Sequence, residues 1–340
     1  MNEPMTAPDR SRLRVEDLVV EYPTASGTVS AVSHVSFELA PGDTLGVVGE
    51  SGCGKSTMAR AVLQLPAPKS GRVVFEGTDL TALPPERMRR LRPELQMVFQ
   101  DPVSSLNPRR TVREIVAEPL TIWRRGTRAE RLRAADEMLQ AVGLDPADYG
   151  SRKPTELSGG QCQRVAIARA LVAGAKLLVC DEPVSSLDVS LRATVLNMLE
   201  DLQERFDLSI LFIAHDLAVV KNISDRVMVM YLGKVVEIAD ADSLYARPAH
   251  PYTVALLDSI PDPDPDAPAP KAALAGDPPS PVNPPSGCRF RTRCPWAQEV
   301  CALQEPPLAE VAPGGHRVAC HFPYVATADR ERRATDAVGT

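Results

Sequence analysis

Residues 49–57 read Gly-Glu-Ser-Gly-Cys-Gly-Lys-Ser-Thr, and this stretch decides the fold of the chain. An apolar run at 45–48 precedes it and a segment with helical character follows it, so the local order is strand, loop and helix. Glycines let several backbone N–H groups point at one anion, and the positive end of the following helix adds to the attraction. The pattern predicts a phosphate-binding loop in which Lys55 reaches the β- and γ-phosphates of a nucleoside triphosphate and Ser56 binds Mg²⁺.

The composition excludes several classes of protein. With 340 residues, of which 44% are hydrophobic, the chain can form one large or two smaller domains with a buried core. A net charge of −6 and an aromatic content of 4% argue against nucleic acid as a partner. No apolar run reaches the roughly 20 residues of a membrane helix, and the first residues lack the apolar core of a signal peptide. We therefore expect a cytosolic protein that meets a membrane only through partners.

The hydrophobic pattern predicts an α/β fold. Runs of Val, Leu and Phe before the phosphate loop predict an antiparallel β-layer, and later short strands alternate with a helix, which is typical of a parallel sheet. The predicted strands lie at 12–22, 28–39, 71–75, 95–100, 177–180, 210–214 and 227–230, with the helix near 189–205.

Composition also suggests a division into regions. Leu132, Ala135, Leu139 and Val142 recur at helical spacing, which predicts a helical subdomain. Ten of the 25 residues at 261–285 are proline, which predicts a semi-extended linker. The predicted regions are a flexible N-terminus at 1–11, an ATPase domain at 12–260 with the helical subdomain at about 103–175, the linker at 261–285, a cysteine-containing module at 286–323 and a tail at 324–340.

Two further motifs point to hydrolysis of the nucleotide. The apolar strand at 177–180 ends in Asp181, placed to hold Mg²⁺, and Glu182, placed one residue beyond the strand to polarise the attacking water. Residues 157–161, Leu-Ser-Gly-Gly-Gln, form a second glycine-rich turn that opens a helix and can receive an anion.

In their order and spacing these motifs resemble the ATP-binding subunits of ABC transporters, for which Leu-Ser-Gly-Gly-Gln is the signature. The resemblance covers residues 12–260 and implies a P-loop ABC ATPase core with an antiparallel β-subdomain. It implies that Tyr22 stacks on adenine, that Gln100 is the Q-loop glutamine and that His215 is the switch histidine. Residues 185–188 take the place of the D-loop.

The family's mechanism places each ATP between the phosphate loop of one ATPase domain and the signature of a second domain. Catalytic roles are thereby expected for Glu182, His215 and Gln100, and Mg²⁺ ligation for Ser56, Gln100 and Asp181. The residues expected to contact ATP in one domain or the other are Tyr22, Gly49, Ser51, Gly52, Gly54, Lys55, Ser56, Thr57, Gln100, Ser158, Gly159, Gly160, Gln161, Asp181 and Asp188.

Residues 99–109 and 249–257 resemble the ATPases of oligopeptide and dipeptide importers. That resemblance implies a peripheral position on the cytoplasmic face of the cell (inner) membrane. The implied partners are two membrane-spanning permease subunits, an extracytoplasmic substrate-binding protein and a second ATPase chain, expected to be a paralogue. Import of nickel or another small solute is an alternative, as is a non-transport ABC ATPase of the DNA-repair or translation type. The short interval between phosphate loop and signature, without sustained heptads, disfavours the DNA-repair type, and the single cassette disfavours the translation type.

Cys288, Cys294, Cys301 and Cys320 form a cluster with the spacing C-x5-C-x6-C-x18-C. A reducing compartment disfavours disulfides, and zinc modules usually carry C-x-x-C pairs, which this cluster lacks. The spacing and the resemblance to importer ATPases with a cysteine-containing extension predict a [4Fe–4S] cluster with a structural or regulatory role. Zinc, with a histidine such as His316 or His321 as a ligand, is the alternative.

Overall fold

The computed structural model describes residues 11–25, 27–185, 187–260 and 276–324. Predictions for the N-terminus, most of the linker, Ser186 and the tail therefore lie outside the described residues. In chain order the strands are β1 (Leu13–Thr24), β2 (Gly27–Leu39), β3 (Thr44–Val48), β4 (Ser70–Phe75), β5 (Thr78–Asp79), β6 (Leu95–Val98), β7 (Leu177–Asp181), β8 (Ser209–Ile213), β9 (Arg226–Tyr231), β10 (Lys234–Asp240), β11 (Ala309–Ala312) and β12 (His316–Val318).

The helices alternate with these strands through most of the chain. They are α1 (Lys55–Val62), α2 (Pro85–Leu91), α3 (Pro102–Ser105), α4 (Val112–Ile122), α5 (Arg128–Ala141), α6 (Pro146–Tyr149), α7 (Gly159–Leu171), α8 (Val189–Phe206), α9 (Leu217–Ile223), α10 (Ala241–Ala246), α11 (Pro251–Asp258) and α12 (Glu299–Leu303).

A mixed sheet forms the centre of the fold, with the strand order β11-β12-β10-β9-β3-β8-β7-β6. The five strands from β9 to β6 are parallel, and the other three continue the sheet in antiparallel fashion. Every residue of β3, β7 and β8 is buried, which explains their largely apolar sequences, because helices cover both faces of a parallel sheet. The segments that follow these parallel strands therefore gather at one edge of the sheet.

A second, antiparallel sheet has the order β2-β1-β4-β5 and corresponds to the predicted β-layer. Leu13 of β1 pairs with Leu39 on one side and Phe75 on the other. The buried face of this sheet packs on α1, where Met58 is fully buried in the same apolar cluster. This packing sets the β-layer beside the phosphate loop. It also brings Tyr22, near the end of β1, to the same edge of the central sheet.

Helices α3 to α7 fill the interval between β6 and β7, where the sequence predicts a helical block. Ala135 and Leu139 of α5 are fully buried, as their helical spacing predicts. Thr111 and Thr127 begin α4 and α5 with capping boxes, each closed by a glutamate three residues later.

The C-terminal segment 276–324 packs directly on the central sheet. β12 pairs with β10 through Glu237 and Val318, and Phe290 is buried against Tyr231 and Tyr252. The strand β10, which the sequence patterns do not predict, is thus the element that joins this segment to the ATPase core.

Candidate active site

A cavity of about 450 Å³ opens where the parallel strands of the central sheet end. One wall comes from the phosphate loop, and the opposite wall comes from β1 and β2 of the antiparallel sheet. The lining residues are Tyr22, Val29, Ser30, Ala31, Ser51, Gly52, Gly54, Lys55, Ser56, Thr57, Gln100, Glu182, Leu232, Gly233 and Pro281.

Close packing fixes the shape of the phosphate loop. Gly54 has φ +104°, and a Cβ atom there would lie 2.1 Å from the Ala31 carbonyl oxygen. Gly49 has φ +154°, and its Cβ atom would lie 2.2 Å from the Met230 carbonyl oxygen. The Gly233 N–H also donates to the Cys53 carbonyl over 2.7 Å. Glycine is therefore required at two positions because neighbouring backbone comes so close.

Lys55 lies at the base of this loop and is 4% exposed. Its Nζ donates to the carbonyl oxygens of Gly49, over 2.6 Å, and Glu50, over 3.0 Å. Helix α1 begins at Lys55 without a side-chain cap and without an acidic residue in its first turn. The ammonium group and the N–H groups of this turn thus present positive charge to the cavity, as an anion site requires.

Ser56 and Asp181 bring two hard oxygen atoms together below the loop. The Ser56 hydroxyl donates to Asp181 Oδ1 over 2.6 Å, and Asp181 is 3% exposed at the end of β7. Arg60 Nη2 lies 3.8 Å from the other carboxylate oxygen. A hydroxyl and a carboxylate in contact fit Mg²⁺, which takes few protein ligands and otherwise binds water and phosphate oxygens.

Residues that follow the neighbouring strands β6, β7 and β8 come together at Glu182. It follows β7 with φ 50°, a conformation that non-glycine residues seldom adopt, and its N–H donates to the Ile213 carbonyl of β8 over 3.0 Å. Gln100, after β6, donates to Glu182 Oε2 over 2.9 Å. His215, after β8, places Nδ1 3.6 Å from the same oxygen. The carboxylate therefore faces the cavity between an amide and an imidazole, a geometry suited to taking a proton from water.

The signature turn forms a separate site. Ser158 caps α7 by accepting from the Gln161 N–H over 3.3 Å, and the Gln161 side chain accepts from the Ser158 N–H over 2.9 Å. Ser158 and Gly159 are exposed, whereas Gly160 is buried. Within the described part of the chain, the cavity lining includes none of these residues. Asp188, also expected at the nucleotide, caps α8 by accepting from the Leu191 N–H over 2.9 Å.

The cysteines Cys288, Cys294, Cys301 and Cys320 converge around one small space, together with aromatic and proline side chains. That space is about 10 Å³, room for no more than one water molecule. Burial raises the pKa of Cys288, raises that of Cys294 to about 11 and raises that of Cys320 to about 12. Burial thus favours the neutral form of these thiols.

The described residues contain no group of three or more His, Cys, Asp or Glu side chains arranged to hold a metal ion. The predicted [4Fe–4S] cluster is therefore wrong, and nothing in the described residues supports the zinc alternative. His316 is engaged with Glu237 Oε1 at 2.7 Å, and His321 with the Gln304 carbonyl at 3.0 Å. Of the four cysteines, Cys301 is buried, and Cys288, Cys294 and Cys320 are half-buried.

Several lining residues lie outside the motifs that the sequence analysis identifies. Ser30 and Ala31 come from β2, Leu232 and Gly233 from the turn between β9 and β10, and Pro281 from the C-terminal segment. Gly233, with φ +78°, marks a tight turn that could have been predicted. Pro281 lies far from the phosphate loop in sequence, and only the tertiary structure brings it to the cavity.

In the part of the chain that the structure describes, no helix combines the length and apolarity needed to cross a membrane.

Family models match two stretches of the chain. One, described as ABC transporter, matches residues 32–185, and another, described as oligopeptide/dipeptide transporter C-terminal region, matches residues 236–301. A putative peptide import ATP-binding protein of Brucella ovis is 53% identical over 308 residues, which cover 91% of this chain and 96% of that protein. An oligopeptide transport ATP-binding protein of Bacillus subtilis is 48% identical over 329 residues, covering 94% of this chain and 99% of that protein.

Solved structures share the fold of the ATPase core. A dimeric ATP-binding cassette in a post-hydrolysis state, bound to ADP and Pi, matches with a TM-score of 0.62 and 28% identity, over 67% of this chain and 98% of that one. A subunit of a Clostridium perfringens ABC transporter complex matches with a TM-score of 0.63 and 27% identity, over 70% of this chain and 92% of that one. The predicted P-loop ABC fold with mixed α/β sheets is confirmed. The chain belongs to the ATP-hydrolysing ATP-binding proteins of ABC transporters, in the group that carries the oligopeptide/dipeptide transporter C-terminal region.

Proposed function

We propose that this chain binds MgATP and hydrolyses it to drive the import of dipeptides or oligopeptides through a membrane complex. Support for the peptide cargo comes from kinship. The Brucella ovis relative is named for peptide import and the Bacillus subtilis relative for oligopeptide transport. The C-terminal region matches a family model with the same description.

Each residue of the site has a defined task in this proposal. Lys55 and the open N–H groups of α1 hold the β- and γ-phosphates, while Tyr22, 36% exposed on the facing wall, stacks on the adenine. Ser56 and Asp181 hold Mg²⁺, which when bound neutralises charge that develops on the phosphates. Glu182 takes a proton from the attacking water.

The observation that carries the hydrolytic part is the convergence of Gln100 and His215 on Glu182 Oε2, at 2.9 and 3.6 Å. These residues follow β6 and β8, the two neighbours of β7, so the sheet itself sets their spacing. The amide orients the carboxylate, and the imidazole stands where it can contact the γ-phosphate.

A second ATPase chain completes the site in this proposal. Its support is the separation of the signature turn from the cavity, together with a structural relative whose title describes a dimer. Ser158 and Gly160 then serve the nucleotide of the partner. We propose a paralogue as that partner.

The membrane partners are two permease subunits, supplied with cargo by an extracytoplasmic substrate-binding protein. This arrangement places the chain peripherally, on the cytoplasmic face. Phe99 and Val103, on either side of Gln100, are 43% and 52% exposed. Large apolar side chains on a surface favour a protein contact there, which would link the catalytic residues to the permease.

The test is transport by the purified complex in proteoliposomes. Uptake of a labelled dipeptide or tripeptide is measured with ATP supplied to the ATPase subunits. A non-hydrolysable ATP analogue serves as the control. We expect uptake only with ATP and only with the substrate-binding protein present. ATP hydrolysis that responds to Ni²⁺ or to another small solute, and not to any peptide, would overturn the peptide assignment while leaving the ATPase intact.

The heterodimer is tested separately. The complex is purified from its native host through a tag on this chain, and intact masses are measured for its ATPase subunits. Two distinct masses in equal amounts are expected. A single ATPase species would refute the paralogue.

A further inference from the structure

One ion pair joins the C-terminal segment to the phosphate loop. Arg293 Nη1 lies 2.7 Å from Glu50 Oε2, and Nη2 lies 3.0 Å from Glu50 Oε1, so the guanidinium holds both carboxylate oxygens. The side chain of Arg293 is 5% exposed and that of Glu50 is 26% exposed. Bidentate, largely buried pairs of this kind are geometrically specific and stronger than surface pairs.

Glu50 is held at its backbone as well as at its carboxylate. Its N–H donates to the Tyr252 hydroxyl over 2.8 Å. Its carbonyl oxygen accepts from Lys55 Nζ over 3.0 Å and from the Cys53 N–H over 3.2 Å. Glu50 therefore contacts the C-terminal segment through its carboxylate and the lysine at the cavity through its carbonyl oxygen.

Arg289, four residues earlier in the same segment, holds the opposite wall of the cavity. Its guanidinium donates to the Leu232 carbonyl and, over 2.9 Å, to the Ser33 hydroxyl. Ser33 in turn contacts the hydroxyl of Ser30 at 2.6 Å and donates its N–H to the Gly233 carbonyl over 2.8 Å. Leu232, Gly233 and Ser30 all line the cavity.

An aromatic cluster fixes the distance between these two arginines. Phe290, 1% exposed, packs edge-on against Tyr231 with ring centroids 5.2 Å apart and against Tyr252 at 5.4 Å. The Arg293 guanidinium lies 6.0 Å from the centroid of the Tyr231 ring. The segment is thus seated rigidly on strand β9 and helix α11.

The charges of the Arg293–Glu50 ion pair bear on nucleotide binding. Glu50 places a negative charge inside a loop whose shape suits phosphate, and an unpaired carboxylate there would repel a triphosphate in the same low-dielectric surroundings. The hydrogen bonds to Glu50 raise the pKa of Arg293, so the guanidinium stays charged throughout the accessible pH range. The pair removes the repulsion and holds the loop in one conformation.

We propose that Arg293 is a positioning residue of the nucleotide site: by pairing with Glu50 it neutralises and orders the phosphate loop, and the C-terminal segment is thereby a built-in part of the ATP site. This inference concerns nucleotide binding by the single chain and does not depend on the transported cargo.

The experiment measures the affinity of the full-length chain for a fluorescent MgATP analogue. Arg293→Met keeps the aliphatic stem and removes the charge, and we expect affinity to fall about tenfold, a typical size for coupling between linked groups. Arg291→Met is the matched control. Arg291 bonds to the Ser286 carbonyl within the segment over 2.9 Å, and its loss should leave affinity within a factor of about two.

A second substitution separates charge from structure. In Arg293→Met combined with Glu50→Gln the repulsive carboxylate is gone, so most of the lost affinity should return, and the loss in the single variant should shrink as salt is raised. If Arg293→Met binds as the unmodified chain does, or if the double variant binds no better than the single one, the proposal is overturned.

A variant that keeps one element of the pair guards against misfolding. Arg293→Lys retains the charge but loses the bidentate fork, so it should bind MgATP more tightly than Arg293→Met and less tightly than the unmodified chain. A folded Arg293→Lys variant that binds as tightly as the unmodified chain would show that the bidentate pair does not order the loop, and it would contradict the proposal even if Arg293→Met failed to fold.

Discussion

The phosphate loop and the signature turn have the same pattern in sequence, a glycine-rich turn followed by a helix. They differ in how the N-terminus of that helix is capped and in how exposed the turn is. Helix α1 has Gly54 as its N-cap residue and no side-chain cap, and Lys55 folds back onto loop carbonyls. Helix α7 has Ser158 as its N-cap residue, with a reciprocal capping box. The first turn is enclosed by neighbouring backbone on several sides, whereas Ser158 and Gly159 face outward.

The difference shows how one chain can carry two unlike halves of a site. An uncapped helix end inside a cavity keeps unsatisfied N–H groups that an anion can pair with. A capped helix end is stable without a ligand, so it can lie exposed on a surface and be available to bind another molecule. Sequence similarity between two glycine-rich turns therefore does not make them equivalent sites.

The largest expected effect is a loss of ATP hydrolysis, with ATP binding retained, at the cavity that the phosphate loop lines. In Glu182→Gln the side chain keeps its size but can no longer take a proton, so turnover of the assembled complex should fall by about 10² to 10⁴. Nucleotide affinity should persist because the phosphate-loop contacts are intact. ATPase rate and nucleotide binding are measured on the same preparation, with Asp201→Asn on the exposed side of α8 as control. Turnover close to that of the control would remove Glu182 from the proton-accepting role.

The next largest effect is the loss of stability expected when a Cβ atom is added to the closely packed phosphate loop. In Gly54→Ala the new Cβ would meet the Ala31 carbonyl at 2.1 Å, and φ is +104°. We expect a loss of about 3 kcal/mol in the free energy of unfolding, measured by urea denaturation without nucleotide. Gly52→Ala is the control, because φ is +79° there and nothing lies within 4 Å. It should cost about 1 kcal/mol. Equal losses in the two variants would mean that close packing does not shape the loop.

A direct comparison of the two turns uses nucleotide binding by the isolated chain. Lys55→Met removes the charged donor at the cavity, and affinity for MgATP should fall about tenfold to a hundredfold, as for other hydrogen bonds to charged groups. Ser158→Ala should leave the affinity of the isolated chain unchanged, yet lower the turnover of the assembled complex. If Ser158→Ala weakened binding in the isolated chain, the two turns would share one nucleotide and the comparison would fail.

The smallest effect concerns the cap itself. Ser158→Ala should lower the free energy of unfolding by about 1 kcal/mol, and Ser158→Asp should restore it, because aspartate is an equally good N-cap. Amide hydrogen exchange would localise the change to the first turn of α7. Exchange that increases throughout α7 and its neighbours would indicate lost packing instead of a lost cap.

Local patterns predicted much of this molecule. The phosphate loop, the two carboxylates at the end of β7 and most strands of both sheets each have a signal within a few residues of sequence. The strand β10 was missed because its seven residues include buried Glu237, which breaks the apolar pattern. That carboxylate is satisfied by the N–H groups of Ala249 and His250 and by His316, which are distant in sequence.

The sequence predicts the residues that perform the chemistry of the site. It does not predict the tertiary contacts that hold the walls of the cavity. Arg293 and Glu50 are 243 positions apart, so nothing in the sequence links them. The spacing of the four cysteines and the resemblance to importer ATPases together predict a cluster, and neither reveals that the thiols pack among Phe290, Trp296 and Phe322. Burial raises the pKa of a thiol, and burial is a tertiary property.

The pairing of β12 with β10 has a consequence for the order in which the chain folds during synthesis. Among the strands of the described residues, β12 leaves the ribosome last, so β10 is complete while its outer edge still lacks a neighbour. An exposed edge strand can pair with another chain, which makes this interval the one most open to aggregation. A chain that stopped before residue 309 would keep that edge uncovered, and it should associate with itself even though every nucleotide-binding motif is present.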